Sequence, residues 1–404
     1  MSFGLVFPAL VAARLILQLS PLSSLLKHDS QLSSPLTSYS RLQEGIYLFR
    51  NGIDPYSGGT FRHSPLYLSL FSIVLLESNA LSAVLWTLAD AIGAWALVQI
   101  WRARSRTSKG RKDSVIAAVY LLNPYIFLPS LAFSTSTFDN AFQLLSLMFA
   151  SQGRISESLL TLALLSHLSL PSILLLPPTV LLLLSDPTSH LASPKPFAQK
   201  LRKAIPLTTE FLAYFSVLIF ASTLPSAGWG WVRNTWGAGF LLPDLTPNPG
   251  LWWYFFTEMF DHFRPFFLMV FNVHLLIYVA PICIKFQHDP LYATFLLIGV
   301  LALFKPYPTL SDPGLFISLI SLFPETYAYF RHPIVTTLLH LHASLLLPLF
   351  HHLWVAAGTG NANFFYASTL VFGIANGAAL IDCVWAGLRI ALGEEKEGWV
   401  VIQE

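Results

Sequence analysis

The chain has 404 residues, 54% of them hydrophobic and only 11% charged, with mean hydropathy +0.60 and a formal net charge of +2. Soluble domains carry about 25% charged residues, and even a large soluble fold leaves much of its surface to water, so this composition excludes a soluble globular class. The near-neutral balance argues against nucleic acid as a partner. Apolar stretches recur along the whole length, which predicts one all-α, polytopic membrane domain over residues 1–404.

The first apolar run, about 3–24, contains Arg14 and lacks both a charged n-region and a small-x-small cleavage site, so it reads as a first span. A polar loop, 28–62, follows, then apolar runs at 64–78 and 80–101. Next comes the strongest charge cluster in the chain, "WRARSRTSKGRKDS", with Arg102, Arg104, Arg106, Lys109, Arg111 and Lys112. A second basic loop, 186–204, carries Lys195, Lys200, Arg202 and Lys203. Basic loops stay in the cytosol, which makes 102–113 and 186–204 cytosolic. With a cytosolic N-terminus, loop 28–62 is luminal, and a single span returns the chain to the cytosol before Arg102. The run 64–78 is also short of the roughly 20 residues a span needs. A re-entrant or membrane-edge helix is therefore predicted at 64–78, and a true span at 80–101.

The remaining spans are expected at about 114–133, 135–151, 155–168, 171–185, 206–224, 262–285, 290–305, 312–324, 332–355 and 364–389, twelve in all. This places 225–261 and 356–363 in the lumen and the tail 390–404 in the cytosol. There is no internal repeat and no pair of broken helices of matching sequence in two halves, which counts against a transporter. The two cysteines, Cys283 and Cys383, each sit in an apolar run and read as free buried thiols.

Specific chemistry concentrates in the luminal loops. The first holds "IDPYSGGTFRHSPL", in which Tyr56, Arg62 and His63 suit a lipid entrance or a partner surface. The second reads "GWGWVRNTWGAGFLLPDLTPNPGLWWYFFTEMFDHFRPFF". Its tryptophans suit a headgroup-level belt. A belt does not explain Asp244, Thr246 and Asn248 locked between prolines, nor Glu258 and Asp261 in the apolar helix expected to follow. The third, "AGTGNANFFY", offers Asn361 and Asn363, donors and acceptors suited to hydroxyls or a phosphate ester. The competing assignment is a cap on the last helix, and it falls more naturally on Asn363. Charges inside spans must face protein, water or the interface. Of Arg14, Asp90, Asp139, Glu210, Lys305, Asp312 and Asp382, Lys305 and Asp312 flank "PYPTLS" and suit a membrane edge, whereas Asp90 and Asp382 lie deeper and suit an interhelical pair or a contact to a partner subunit. His167 and His340 read as satisfied core residues, and the histidines of "RHPIVTTLLHLH" and "LFHH" spread too far to form a metal set. No nucleophile elbow, phosphate loop or Cys/His pair is present, so no catalytic residue and no cofactor are assigned.

The segments "PLTSYSRLQEGIYLFRNGIDPYSGGTFRHSPL", "LLNPY", "PDLTPNPGLWWYFFTEMFDHF", "KPYPTLSD" and "LFHHLWVAAGTGNANFFYASTL" together resemble the PIG-U family, the class U subunit of the GPI transamidase, in family order from about 35 to 390. The resemblance implies a multi-pass subunit of an endoplasmic-reticulum complex. That complex removes a C-terminal signal from a precursor protein and joins the new carboxyl end to a GPI lipid. It implies a role in recognising the GPI lipid, with catalysis in a cysteine-protease-like subunit. The expected partners are the other four transamidase subunits, the GPI lipid and membrane lipids.

The first loop also resembles GPI mannosyltransferases of the GT-C type, which implies a GT-C-like helix arrangement. In those enzymes an acidic pair precedes the segment matched here by "IDPYSGGTFRHSPL". Its place falls in "PLTSY", where Leu36, Thr37 and Ser38 supply no base. The loop otherwise offers only Asp29, Glu44 and Asp54, and Asp54 precedes Pro55 as a turn-forming aspartate does. The first expectation is a non-catalytic lipid-binding subunit. The alternative is an active dolichyl-phosphate-mannose-dependent mannosyltransferase.

Overall fold

The computed structural model describes residues 2–74, 79–107, 110, 112–195, 201–226, 228–393, 398, 401 and 402. Helices make up the regular structure of these residues; the one β-bridge, between His190 and Ser193, closes a loop. The chain opens with α1 (Phe3–Gln18) and the short α2 (Pro21–Leu26). An amphipathic helix, α3 (Tyr39–Arg50), lies inside the segment read from sequence as a plain polar loop, and α4 (Pro65–Val74) and α5 (Asn79–Ser105) follow it. The last four residues of the predicted re-entrant run, 75–78, lie outside the described residues.

α6 (Asp113–Leu121) and α7 (Pro124–Leu131) form a bent pair, followed by α8 (Ser136–Ser151) and α9 (Ile155–Leu168). A 3₁₀ segment at Leu170–Leu175 leads into α10 (Leu176–Leu184), so the proline-rich stretch after residue 168 does break the helix. α11 (Ala204–Thr223) precedes three short helices within the second long loop: α12 (Gly230–Asn234), α13 (Trp236–Leu241) and α14 (Trp252–Thr257). Then come α15 (Arg264–Ile277), α16 (Val279–Lys285), α17 (Pro290–Phe304), α18 (Ser311–Leu319), α19 (Pro333–His351) and α20 (Ala362–Leu392). Prolines at the first turns of α2, α7, α17 and α19 occupy positions where no helical N–H is needed.

Among the described residues, five helices are long and apolar enough to cross a bilayer: Asn79–Ser105, Ala204–Thr223, Arg264–Lys285, Pro333–Ala356 and Ala362–Leu392. The pair α6–α7, bent by 51°, makes a sixth if it is one span. Other apolar helices are shorter, at 10–17 residues. The protein is thus an all-helical membrane protein with several spans. α17 is buried from Pro290 to Ala302 on every face, as a helix apolar all round should be. α10, α16, α18 and α20 pack around it.

Connecting segments gather at two ends of the bundle. At one, Arg104 of α5 donates to Asp289 (3.1 and 2.8 Å) and to Glu325 (2.5 Å), with His190 alongside. At the other, the Tyr39 hydroxyl meets Ser82 at 2.7 Å and Trp86 Nε1 donates to Ser134 O at 2.8 Å. Ser64, just before α4, contacts His167 at 3.2 Å, and Ser72 O, near the end of α4, accepts from Arg50 at 2.8 Å. Between the two ends, Arg14 of α1 pairs with Asp90 of α5, which also accepts from Ser130 Oγ at 2.5 Å. His167 is a satisfied core residue, bonded to Ser64 and Ser222 and stacked on Trp231.

Candidate functional site

The first loop is organised from inside. α3 buries Tyr39, Leu42, Gly45 and Ile46. Gly45 meets the Phe61 ring so closely that a Cβ there would lie 2.2 Å from a ring carbon. Phe61 in turn packs edge-on against Tyr56, whose hydroxyl donates to His63 O at 2.9 Å. Tyr56 and His63 are therefore turned inward, 5% and 1% exposed, rather than presented at an open entrance. Neither ring nitrogen of His63 has a hydrogen-bond partner. Burial, with the Arg41 charge nearby, pushes its pKa down to about 3.

The second loop is pinned at Asp244. Its carboxylate pairs with Arg41 at 2.7 Å and accepts from Thr246, and its backbone exchanges hydrogen bonds with the Tyr307 hydroxyl at 2.8 and 3.2 Å. Burial opposes the charge on Asp244, but Thr246 and Arg41 outweigh it and hold the carboxyl below its ordinary value. Asn248 is buried and used up by a turn, accepting from Gly250 N at 2.8 Å and donating to Thr246 O at 2.9 Å. The tryptophans depart from the expected belt. Trp231, Trp252 and Trp253 are buried and Trp236 is half-buried, whereas Trp229 is exposed. Two of these rings hydrogen-bond distant carbonyls, Trp252 to Phe304 O at 2.9 Å and Trp236 to His167 O at 3.0 Å.

Beneath these loops lies a chamber of about 60 Å³ with mixed walls, lined by Leu36, Thr37, Arg62, Tyr67, Asp139, Trp236, Lys305 and Tyr307 among others. A second space of about 30 Å³ shares Asp139 and Lys305 with it. Such a space suits a few waters. Asp139 accepts from the Tyr67 hydroxyl at 3.1 Å, Lys305 pairs with Asp312 at 2.5 Å, and Arg62 donates to Asn234 Oδ1 at 3.2 Å. From the sequence alone, Lys305 and Asp312 suit a membrane edge and nothing joins Asp139 to them. "KPYPTLSD" was the available signal, since it carries Lys305, Tyr307 and Asp312 together.

Asn361, Asn363, Glu258 and Asp261 are exposed. Asn363 accepts from the Tyr254 hydroxyl, so the second and third loops meet there. Asn361, not Asn363, caps α20, accepting from Phe364 N at 3.3 Å. Glu258 and Asp261 do not lie within an apolar helix; they occupy the turn between α14 and α15. Trp253 lies behind this rim, against Trp354, Phe365 and Tyr366. The eight candidate residues thus separate into four that hold the loops (Tyr56, His63, Asp244, Asn248) and four that face outward. Among the described residues, no three His, Cys, Asp or Glu side chains converge as a metal set.

The sequence profile of the family described as "GPI transamidase subunit PIG-U" matches residues 8–372. The chain belongs to the PIG-U family. The GPI transamidase component GAB1 of Saccharomyces cerevisiae is 36% identical over 368 residues, covering 90% of this chain and 89% of that one. A Schizosaccharomyces pombe homolog of that component is 34% identical, covering 89% and 87%. The human GPI-anchor transamidase component PIGU is 32% identical, covering 95% and 93%. The match to the PIG-U family spans the first loop, the bundle and the Asn361–Asn363 rim.

Proposed function

We propose that the chain is a non-catalytic subunit of a GPI transamidase in the endoplasmic-reticulum membrane, binding the GPI lipid and presenting it to a cysteine-protease-like catalytic subunit. The observation that carries the reading is family membership along nearly the whole chain, with relatives named as transamidase components. In this reading the twelve apolar segments form a GT-C-like bundle. α4 is re-entrant, and the Arg104 end faces the cytosol. Loops 28–62, 225–261 and 356–363 share the luminal end, and the other four subunits pack on faces of the bundle.

The outward-facing rim, Asn361, Asn363, Glu258 and Asp261, contacts the glycan and phosphoethanolamine groups. The carboxylates suit an amine, and the asparagines suit hydroxyls and phosphate oxygens. Asp244 and Asn248 shape the second loop, and Tyr56 and His63 the first. The test replaces Asn361 and Asn363 together with alanine, measures GPI attachment in cells and checks assembly by co-purification. Loss of attachment in an assembled complex is expected. Normal attachment overturns the assignment.

The mannosyltransferase alternative has one observation on its side: the chamber walled by Leu36 and Thr37 does contain an acid, Asp139. Against it, Glu44 and Asp54 are exposed and already engaged, with Thr60 Oγ1 and Tyr56 N. Purified protein that transfers mannose from dolichyl phosphate, and loses that activity in Asp139→Asn, would establish it. Full GPI attachment in a chain lacking Glu44, Asp54 and Asp139 would remove it.

A further inference from the structure

The bend between α6 and α7 has a structural partner at membrane depth. The two helices meet at 51° across Leu122 and Asn123. Backbone released from helical hydrogen bonding inside a bilayer persists only where protein buries it or where it lines a cavity. Asn123 satisfies part of it, accepting from Tyr125 N and donating to Gly314 O and Ser318 Oγ of α18, all at 3.0 Å. The other side of the bend borders a cavity of about 450 Å³. That volume falls within the roughly 300–1,000 Å³ of small-ligand sites.

The walls are mainly apolar and come from four helices, with Tyr125 on α7, Ile317 on α18, Thr336 and His340 on α19, and Ala379 on α20. The mouth passes Thr337 and Leu341, both exposed. They belong to the span Pro333–Ala356, whose outer face also exposes Ile334, Leu338 and Leu345, so the medium at the mouth is hydrocarbon. The cavity runs from Pro333 and Asp382 to Ser344. On a helix rising 1.5 Å per residue that is about 16 Å, roughly half of the ~30 Å hydrocarbon core. One leaflet's acyl chain has that reach.

We propose that this cavity holds one acyl chain of a phospholipid from the leaflet at the Arg104 end of the helices. The Asn361–Asn363 rim lies at the far end of α20, so this is a second lipid site, separate from the proposed GPI contact. A bound chain fills the space behind the α6–α7 bend and fixes α19 against α20.

The test uses the intact transamidase in membranes with a phosphatidylcholine carrying a diazirine midway along one chain. Adducts are mapped by mass spectrometry. Adducts are expected on the peptides containing Thr336–Leu341 and Ala379–Cys383. They should disappear in Ala379→Phe, which fills the cavity, and in Leu341→Trp, which blocks its exposed mouth without touching the core. Co-purification of the partner subunits reports assembly in both. An excess of GPI should leave the adducts unchanged; if it removes them, the chain belongs to the GPI lipid and the proposal falls. Equal labelling in wild type and Leu341→Trp means annular lipid only and also overturns it. A photoreactive residue at 341 that captures a partner subunit's helix, with no lipid adduct, assigns the space to that helix and overturns it as well.

Discussion

Arg41 Nη2 lies 2.7 Å from Asp244 Oδ2, and this ion pair ties helix α3 of the first long loop to the proline-rich turn of the second. About a fifth of each side chain is exposed, at 23% and 20%. The pair should therefore contribute more than an open surface bridge and less than a fully buried one. Asp244→Ala is expected to cost about 1–2 kcal/mol, between those limits, because it removes the Thr246 bonds as well. Arg41→Ala should cost less. Thermal unfolding of the purified complex and limited proteolysis within 225–261 report both. Unchanged midpoints in both variants would show that the loops are held elsewhere.

The two asparagines of the third loop call for different substitutions, because only Asn361 caps a helix. Asn361→Ala should destabilise the start of α20 by about 1 kcal/mol, whereas serine keeps an acceptor there and should cost only a few tenths. A recognition role predicts that Asn361→Ser assembles normally and still lowers GPI attachment. A purely structural role predicts normal attachment. Tyr254→Phe removes the hydroxyl that engages Asn363, and it should lower attachment alongside Asn363→Ala if that contact positions the rim.

The apolar runs of the sequence marked most of the long helices, because a helix in lipid must be apolar over its length. What escaped depends on contacts between distant segments. α3 hid in a polar loop because its buried face, Tyr39, Leu42 and Ile46, packs on partners supplied by Phe61 and Trp86. The tryptophans looked like a belt because their hydrogen-bond acceptors, Phe304 O and His167 O, lie far away in sequence. The chamber was illegible for the same reason: Asp139 of α8 and Lys305 at the end of α17 come to line one space only in the folded bundle. At the rim, the residue types were visible while the division of labour was not. Asn248 and Asn361 are the same residue type in short polar turns, yet one is buried and bonded and the other faces out.

Arg14 and Asp90 illustrate why a buried charge pair is costly to break. Their side chains are 6% and 1% exposed. Asp90→Ala leaves a guanidinium without its counter-charge, and a loss of about 3–5 kcal/mol is expected. Replacing both, as Arg14→Met with Asp90→Leu, should recover most of it, since an apolar pair needs no desolvation. Yield and thermal midpoint of the purified complex measure this. A double variant no better than Asp90→Ala would mean that the charges serve something other than each other.

His63 makes stability sensitive to acid. It is buried without a partner for either ring nitrogen, and its folded pKa is about 3 against about 6.5 for an unfolded histidine. Between those values the unfolded chain binds the extra proton and the folded chain does not. Stability therefore falls as pH drops from about 6.5 toward 3, with a slope of at most about 1.4 kcal/mol per pH unit for one proton. Above pH ~6.5 both states are neutral and the slope vanishes. Asp244, whose folded pKa is depressed, adds stability at neutral pH that is also lost on acidification, but in the lower carboxylate range. The two are separable. His63→Phe should flatten the stability profile between about pH 4.5 and 6.5, above the ordinary carboxylate range, and leave the lower limb that Asp244→Asn removes. The packing against Phe61 and Tyr67 is aromatic already, so phenylalanine tests the proton rather than the shape. The difference between the thermal midpoints of the wild-type and His63→Phe complexes should be constant above about pH 7 and grow progressively in favour of His63→Phe below about 6; parallel profiles would show that His63 binds no extra proton on unfolding.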